Sequence, residues 1–201
     1  GESSSPMATA TAVSTTLFGS PGSLDDEGSE GFFKGTEQAD YYDPRNSYVD
    51  CVFARRRGIP ITLSLIYLEV CERLQLPMVG LNAPGHLLLA PADPSLPFVV
   101  DPFTGGRVMS SDDASVVIAR NAGSVAMNPG AASDPLGAQL LRALRDRPMD
   151  SHMWCARMLR NLRAIHAASE DVVGILGTAE RLRLVAVAQP SASSPGETLE
   201  C

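Results

Sequence analysis

The chain has 201 residues and a net charge of −7, and 44% of its residues are hydrophobic while 19% are charged. This composition is typical of a globular protein with one medium domain, or with one domain and a small appendage. The sequence has no run of about 18 apolar residues, so we predict no transmembrane helix. The acidic balance argues against general binding of nucleic acid or of a membrane surface.

The four cysteines are Cys51, Cys71, Cys155 and Cys201. None forms a CxxC pair, and no histidine stands at metal-ligand spacing from any of them, so we predict neither a metal site nor a cofactor. Reduced, mostly structural thiols suit an intracellular protein. The cytoplasm or a plastid would fit, and a chain that begins at Gly1 leaves a targeting segment undecided.

Residues 1–31 are rich in Ser, Thr, Gly and Ala and carry an acidic patch over Asp25–Glu30. Low-complexity sequence of this kind buries too little apolar surface to fold alone. We therefore predict a disordered segment, with order beginning near Phe32 or Tyr41.

Two helices are predicted next. The first runs from a cap at Asn46 or Ser47 to about Arg57 and ends at Gly58. The second begins at Pro60, because the missing N–H of a proline costs nothing in the first turn of a helix. Its sequence, ITLSLIYLEVCERL, has so few polar positions that we expect it to be buried nearly all round.

Three short apolar runs follow, separated by the turn signals Pro84-Gly85 and Pro91–Pro97. Runs this short between turns are typical of antiparallel strands. The predicted strands cover residues 78–81, 86–90 and 98–101.

The remaining sequence is predicted to be helical with one interruption. We expect an α+β core over residues 32–120, a linker or insertion over 121–135, a helical region over 136–190, and a polar tail over 191–201. The predicted helices cover residues 111–119, 136–147, 153–168 and 172–187.

His86 and Asp101 are the first candidates for chemistry, because we expect them on adjacent strands. A lone histidine that opens an apolar strand is more often a core residue bonded to a carbonyl. A carboxylate on the neighbouring strand changes this interpretation, since it can accept the imidazole N–H, fix the tautomer and raise the basicity of the ring. The two residues would then be two members of a nucleophile–base–orienter triad.

The nucleophile should lie at the N-terminus of the helix that begins at Pro60, where unpaired N–H groups and the helix dipole lower a thiol pKa. No cysteine stands there. Cys71 lies about ten residues further along, roughly 15 Å at the rise of an α-helix, which is too far. Thr62 and Ser64 lie near the right helix end, although such hydroxyls more often cap the helix. Cys51 could approach only through tertiary folding.

Four segments in order resemble the SirB-type branch of the transglutaminase-like superfamily, over about residues 32–110 and more weakly over 154–171. The resemblance implies an α+β fold with a papain-like core, in which a buried central helix packs on an antiparallel sheet, and a C-terminal appendage of tetratricopeptide-like helices. It also implies a cysteine at the start of that helix, near Pro60–Thr62, where this chain has none; His86 and Asp101 match the other two catalytic positions. The segments are YYDPRNSYVDC, ARRRGIPITLSLIYLEVCERLQLP, APGHLLL and FVVDPFTGG.

The segment Asp43–Ser47, DPRNS, is predicted to form a turn and a helix cap. Its place in the resemblance suggests that it packs beside the His86 cleft. Arg45, together with Asn46, would then bind an acidic group of a ligand. A purely structural role for the segment fits the sequence at least as well.

Two functions follow from these features. We favour a non-catalytic binding or regulatory module with a protein or peptide partner, because the usual nucleophile is missing. The alternative is a hydrolase or acyl-transfer enzyme that uses Ser64, Thr62 or Cys51 as nucleophile, with His86 as base and Asp101 as orienter. The two differ in whether a hydroxyl or thiol lies within hydrogen-bonding reach of His86.

Overall fold

The computed structural model describes residues 5–19, 31–123 and 134–188. They divide into two compact units, with the boundary after Asp150. Across these described stretches, no helix is both long and apolar enough to cross a membrane. The first unit combines helices with a four-stranded antiparallel sheet, and the second is helical. The mixed helix and sheet content agrees with the predicted α+β class.

Two short strands alternate with the first three helices of the described chain, and four consecutive strands and then four consecutive helices follow. Two 3-10 turns, Gln38–Asp40 and Pro44–Asn46, lie between the first strand and the second helix. The helices and strands are α1 (Pro6–Phe18), β1 (Lys34–Gly35), α2 (Val49–Arg55), β2 (Arg57–Gly58), α3 (Pro60–Arg73), β3 (Met78–Leu81), β4 (Leu88–Pro91), β5 (Phe98–Asp101), β6 (Arg107–Ser110), α4 (Ser111–Asn121), α5 (Pro135–Asp146), α6 (Ser151–Ala168) and α7 (Val172–Val187).

The main sheet is an antiparallel meander in the order β3-β4-β5-β6. Every residue of β4 and β5 is buried, as expected for central strands covered on both faces. Helix α4 contacts β5 and β6, helix α5 packs on α4, and α3 contacts β3. One core cluster joins the sheet to α4 and α5: Leu81, Ala83, Leu88, Ala90, Val99, Met109, Ala114, Ile118 and Leu141.

The predicted second helix is confirmed as α3, which begins at Pro60 and ends at Arg73. Its buried residues include the large side chains of Ile61, Leu63 and Tyr67, and polar exposure returns only toward its C-terminal end. Burial on this scale is worth roughly 1.5–3 kcal/mol for each large apolar side chain. Helix α3 is therefore a central support of the first unit.

Helix α1 corrects the prediction of disorder over residues 1–31, which is wrong for Pro6–Phe18. The helix has recognisable end signals, because the Ser5 side chain caps it, Pro6 opens it and Gly19 ends it. It is held by α3, since the Tyr67 hydroxyl donates to the Ala10 carbonyl over 2.8 Å. Low apolar content in the sequence is offset by this long-range packing. The acidic patch over residues 25–30 lies outside the described residues.

Helix α2 also begins later than predicted. Its N-cap is Tyr48, which makes no side-chain cap bond, while Asn46 belongs to the preceding 3-10 turn that Asp43 caps. Arg56 ends the helix in a left-handed conformation with φ 54°. The chain can then form β2, which pairs in parallel with β1 directly before α3.

Helix α5 corrects the predicted boundary between the core and the helical region. We predicted that residues 136–190 form one region, but Leu141 of α5 lies in the core cluster of the sheet. Arg145 donates to the carbonyls of Leu96 and Phe98, and the Met149 N–H donates to the Gly80 carbonyl over 2.8 Å. Residues 136–150 therefore belong to the first unit, and most of the predicted linker, residues 124–133, lies outside the described residues.

The second unit is a hairpin of α6 and α7. Both helices match the predicted segments within two residues. Histidines stand near both ends of the hairpin: His152 is hydrogen-bonded to the Ala188 carbonyl, and His166 is paired with Asp171. Cys155 is exposed, while its neighbour Trp154 is buried.

Candidate functional site

His86 is presented by a turn that its neighbours in the sequence dictate. In Ala83-Pro84-Gly85-His86 the His86 N–H donates to the Ala83 carbonyl over 3.1 Å, and Gly85 has φ 61°. Proline followed by a glycine with positive φ is the pattern of a type II turn. The predicted strand over residues 86–90 is corrected, because β4 begins only at Leu88. His86 lies in the loop before the strand rather than in the sheet.

Asp101 ends β5 and accepts four hydrogen bonds. One carboxylate oxygen, Oδ2, lies 2.8 Å from His86 Nε2 and 2.8 Å from the Thr104 hydroxyl. The other, Oδ1, accepts the N–H groups of Phe103 and Thr104 at 3.1 and 3.2 Å. Four bonds use essentially the whole accepting capacity of a carboxylate. The side chain can therefore be buried, at 6% exposure, without an unmet polar group.

The electrostatics of the pair favour an ionised Asp101. Burial raises the pKa of this carboxyl, but the hydrogen bond and charge of His86 and the bonds from Thr104 outweigh it, so that the pKa lies below its usual range. An ionised carboxylate accepts only, so His86 Nε2 carries the proton in this pair. When the ring is neutral, Nδ1 is then the nitrogen with a free lone pair, and no hydrogen-bond partner for it is found among the described residues. The His86 side chain is 18% exposed, and its ring is thus partly open to solvent.

None of the three predicted nucleophiles is hydrogen-bonded to His86 in the described part of the chain. The Thr62 hydroxyl donates instead to the carbonyls of Asn46 and Ile59, both at 3.0 Å. Ser64 is fully buried, and its hydroxyl has no hydrogen-bond partner among the described residues. Cys51 lies half-buried on α2 as a free thiol.

The thiol of Cys71, which lies too far along α3 to serve as the nucleophile, is also chemically inert. It is completely buried, and this burial raises its pKa to about 12. A thiol with so high a pKa is almost entirely protonated at neutral pH, and the thiolate is the reactive form. The described residues of α3 therefore supply no activated thiol.

Arg45 and Asn46 both have hydrogen-bond partners inside the protein itself. The Arg45 guanidinium binds Asp43 through two nitrogens, with the shortest distance 2.6 Å, and Asp43 also pairs with Arg55 at 3.3 Å. Asn46 is completely buried; its amide donates to the Asp40 carbonyl over 2.7 Å and its oxygen accepts from Arg55 over 3.0 Å. This corrects the helix-cap prediction and favours the structural interpretation of DPRNS.

An aromatic cleft of about 390 Å³ was missed by sequence reasoning. Its described lining residues are Thr36, Tyr41, Tyr42 and Phe103. Phe103 connects it to the candidate site, because its N–H binds Asp101. Thr36 connects it to the approach to α3, because its N–H donates to the Gly58 carbonyl two residues before Pro60. The Tyr41-Tyr42 pair before the Asp43-Pro44 turn was the available signal.

The described residues contain no group of three or more His, Cys, Asp or Glu side chains arranged to hold a metal ion. The candidate site consists of the His86–Asp101 pair and the neighbouring aromatic cleft. Its chemistry is that of an oriented imidazole with one basic nitrogen, beside a surface suited to apolar groups.

Comparison with known proteins shows a family to which the chain is similar. A family model described as "Transglutaminase-like superfamily" matches residues 2–160. A UPF0162 protein of Xylella fastidiosa (strain Temecula1) is 35% identical over 154 residues, which cover 76% of this chain and 51% of that protein. The UPF0162 protein of Pseudomonas aeruginosa is 30% identical over 139 residues, 69% of this chain and 46% of its own length.

A shorter similarity is found in a eukaryotic protein. F-box only protein 21 of Mus musculus is 47% identical over 57 residues, which are 28% of this chain and 9% of that protein. No solved structure matches the chain. The chain thus spans about half the length of the bacterial UPF0162 relatives named above.

Proposed function

The chain belongs to the transglutaminase-like superfamily, and we propose that its first unit is a non-catalytic module that binds a peptide beside His86 and Asp101. The observation that carries the proposal is the intact pair at 2.8 Å without a nucleophile bonded to the ring among the described residues. In the neutral ring, Nδ1 of His86 can accept an N–H of a peptide backbone. Binding of this kind needs no covalent step.

The hydroxyls near the start of α3 support this proposal over the alternative of a hydrolase or acyl-transfer enzyme. Thr62 and Ser64 are completely buried, so a substrate carbonyl has no access to them. Thr62 also donates its proton to backbone carbonyls. A serine or threonine nucleophile needs a base in hydrogen-bonding reach, and neither residue has one among the described residues.

The finer family assignment is part of the same proposal. We take the first unit as a papain-like core of the SirB-type branch, because α3, β4 and β5 follow the order that the resemblance implies. We take the hairpin of α6 and α7 as the first pair of a tetratricopeptide-like region, which the greater length of the bacterial relatives would accommodate. A stable repeat array needs about three such pairs.

The partner of the whole protein is proposed to be another protein or a peptide, inside a cell. Three cysteines of the described residues are free thiols, which suits a reducing compartment such as the cytoplasm or the plastid stroma. Because family and fold do not fix a partner, the ligand has to be identified at the site itself.

The test measures labelling and binding on the same protein. Wild type and His86→Gln are treated with iodoacetamide and with a fluorophosphonate, and the labelled residues are identified by mass spectrometry. We expect no label that depends on His86. Capped tripeptides Ac-Gly-Xaa-Gly-NH₂ are then titrated while the imidazole signals of His86 are followed by NMR, and we expect saturable shifts for at least one of them.

Either of two results would overturn the proposal. A hydroxyl or thiol labelled in wild type and unlabelled in His86→Gln would establish an activated nucleophile, and the module would be an enzyme. A tripeptide panel that leaves the His86 signals unmoved would remove peptide binding at this site. Circular dichroism of both proteins confirms that His86→Gln is folded.

A further inference from the structure

The aromatic cleft beside Asp101 has features of a recognition site that the His86–Asp101 pair does not explain. Its volume of about 390 Å³ is near the lower end of the range of small-molecule pockets, roughly 300–1,000 Å³. A space of this size suits one large side chain with its flanking backbone. Three of its four described lining residues are aromatic.

The aromatic walls are held in place before any ligand arrives. The rings of Tyr41 and Tyr42 pack edge to face, with centroids 5.5 Å apart and planes 76° apart. Phe103 packs closely on Gly35, where an added Cβ would lie only 3.0 Å from the Phe103 ring. A preorganised wall loses little conformational freedom when a ligand binds, and so favours affinity.

One further observation points to a missing contact at the cleft. Tyr42 is 62% exposed, so much of a large aromatic side chain is left in water. Thr36 forms part of the lining, but its hydroxyl oxygen is itself buried and is therefore out of reach of a ligand. An exposed aromatic surface beside a cleft of this size is typical of a binding site.

The charges near the cleft do not select an acidic ligand. Asp43 is paired with both Arg45 and Arg55, and Glu37 lies 3.8 Å from Arg57. Because these arginines already have carboxylate partners, the expectation that Arg45 binds an acidic group has no support in the geometry. The surface left to recognise a ligand is aromatic.

We infer that the cleft of Thr36, Tyr41, Tyr42 and Phe103 is a specificity subsite for an aromatic side chain of the peptide ligand. The inference rests on the proposed function, since it takes the ligand to be the peptide that passes beside His86. Phe103 couples the two parts, because the same residue lines the cleft and donates its N–H to Asp101. Aromatic pairs gain from edge-to-face or offset stacking beyond the area they bury.

The experiment compares Ac-Gly-Xaa-Gly-NH₂ with Trp, Phe, Leu, Ala or Lys as the central residue, by NMR titration of the wild-type chain. We expect the Trp and Phe peptides to bind about tenfold more tightly than the Ala peptide. Signals of Tyr42 and Phe103 should move together with those of His86. Equal affinity for all five peptides would overturn the subsite.

Substitutions test whether the preference for an aromatic residue depends on the cleft. Tyr42→Ala should reduce the preference for Trp over Ala to about threefold or less, and Tyr42→Phe, which keeps the ring, should retain it. Tyr48→Ala is the matched control, because Tyr48 is an exposed tyrosine, at 44%, that does not line the cleft. A preference that survives in Tyr42→Ala, or that Tyr48→Ala removes equally, would contradict the inference.

The outcomes separate this inference from the proposed function. Peptides that shift the His86 signals without preference for an aromatic residue would overturn the subsite and leave the peptide-binding module. A His86-dependent label together with the aromatic preference would overturn the non-catalytic role and leave the subsite. Tyr42 is exposed, so its substitution should leave the fold intact, and the far-ultraviolet spectrum checks this.

Discussion

Two buried polar clusters in the first unit use the same kinds of groups to different ends. Around Asp101, a carboxylate with four hydrogen bonds orients His86 and leaves the second ring nitrogen without a partner in the described residues. Around Asn46, the amide donates, its oxygen accepts, the backbone N–H donates to Asp43, and the backbone carbonyl accepts from Thr62. One cluster keeps a group available for a ligand, and the other satisfies its groups internally.

The two clusters differ in one property that separates a group available to a ligand from a purely structural one. Both clusters centre on a buried polar side chain, and both contain an aspartate whose pKa is lowered. Burial and pKa direction therefore do not distinguish them. What distinguishes them is that the unused Nδ1 belongs to a partly exposed histidine, where a ligand can reach it.

The largest loss of stability is expected when the cluster around Asn46 is broken. Asn46→Ala should lower the free energy of unfolding by about 3 kcal/mol, because it removes a buried side chain whose partners Arg55 and the Asp40 carbonyl lose a bond. Urea denaturation at neutral pH measures the loss. Asn121→Ala, at the exposed C-terminal end of α4, is the control and should change stability little. Equal losses in the two variants would remove the structural role of Asn46.

This cluster also shows where sequence reasoning stopped. The helix α3, the strands β3 and β5 and the His86–Asp101 pairing were predictable, because periodicity and turn signals are local. The bonds of Asn46 to Asp40 and Arg55 were not, since an asparagine before an apolar run is also the signal of a helix cap. The choice between the two was made by tertiary contacts.

Helix α1 and the aromatic cleft were missed for a related reason. Burial of the apolar side of α1 depends on contact with α3 and β6, some fifty residues or more away in the sequence, and composition alone does not reveal it. The cleft likewise joins Thr36 and Tyr42 to Phe103 across more than sixty positions. Sequence patterns predicted the elements well and their long-range assembly poorly.

The next largest loss of stability is expected in the cluster around Asp101. Asp101→Asn should lower the free energy of unfolding at pH 7 by about 2 kcal/mol, because an amide cannot accept all four hydrogen bonds of the carboxylate. The amide Nδ2 of the new asparagine can only donate, so it would pair with a His86 Nε2 that carries no proton. The ring proton would then lie on Nδ1, which could no longer accept a hydrogen bond from a ligand. The variant should therefore lose peptide binding as well as stability.

The same variant makes a prediction about pH. Asp101 has a pKa below its ordinary value of 3.8 in the folded protein, so its ionisation stabilises the fold above the unfolded pKa. This stability is lost as the pH falls through the folded pKa. The gap between wild type and Asp101→Asn should be full at pH 7 and narrow below about pH 4. Urea unfolding of both proteins at about pH 7, 5, 4 and 3 measures it, and a gap that stays constant would contradict the ionised carboxylate.

The smallest changes in stability are expected for two hydroxyls on α3, those of Thr62 and Ser64, which are equally buried. Thr62→Val should cost about 1 kcal/mol, because the Thr62 hydroxyl donates to the carbonyls of Asn46 and Ile59. Ser64→Ala should cost nothing or stabilise slightly, because the Ser64 hydroxyl is buried without a partner among the described residues. The unfolding midpoints of the two variants against wild type make the measurement, at matched protein concentration.

The comparison of Thr62 with Ser64 also tests catalysis, since both residues were candidate nucleophiles. If Ser64→Ala destabilises as much as Thr62→Val, the Ser64 hydroxyl has a bonding partner, and the contrast between a used and an unused hydroxyl fails. If the two differ as expected, and neither changes the affinity for the tripeptides, then Thr62 acts by closing the Asn46 cluster. Ser64 then has no role at the site, because a nucleophile must reach His86 and this hydroxyl lies in the core.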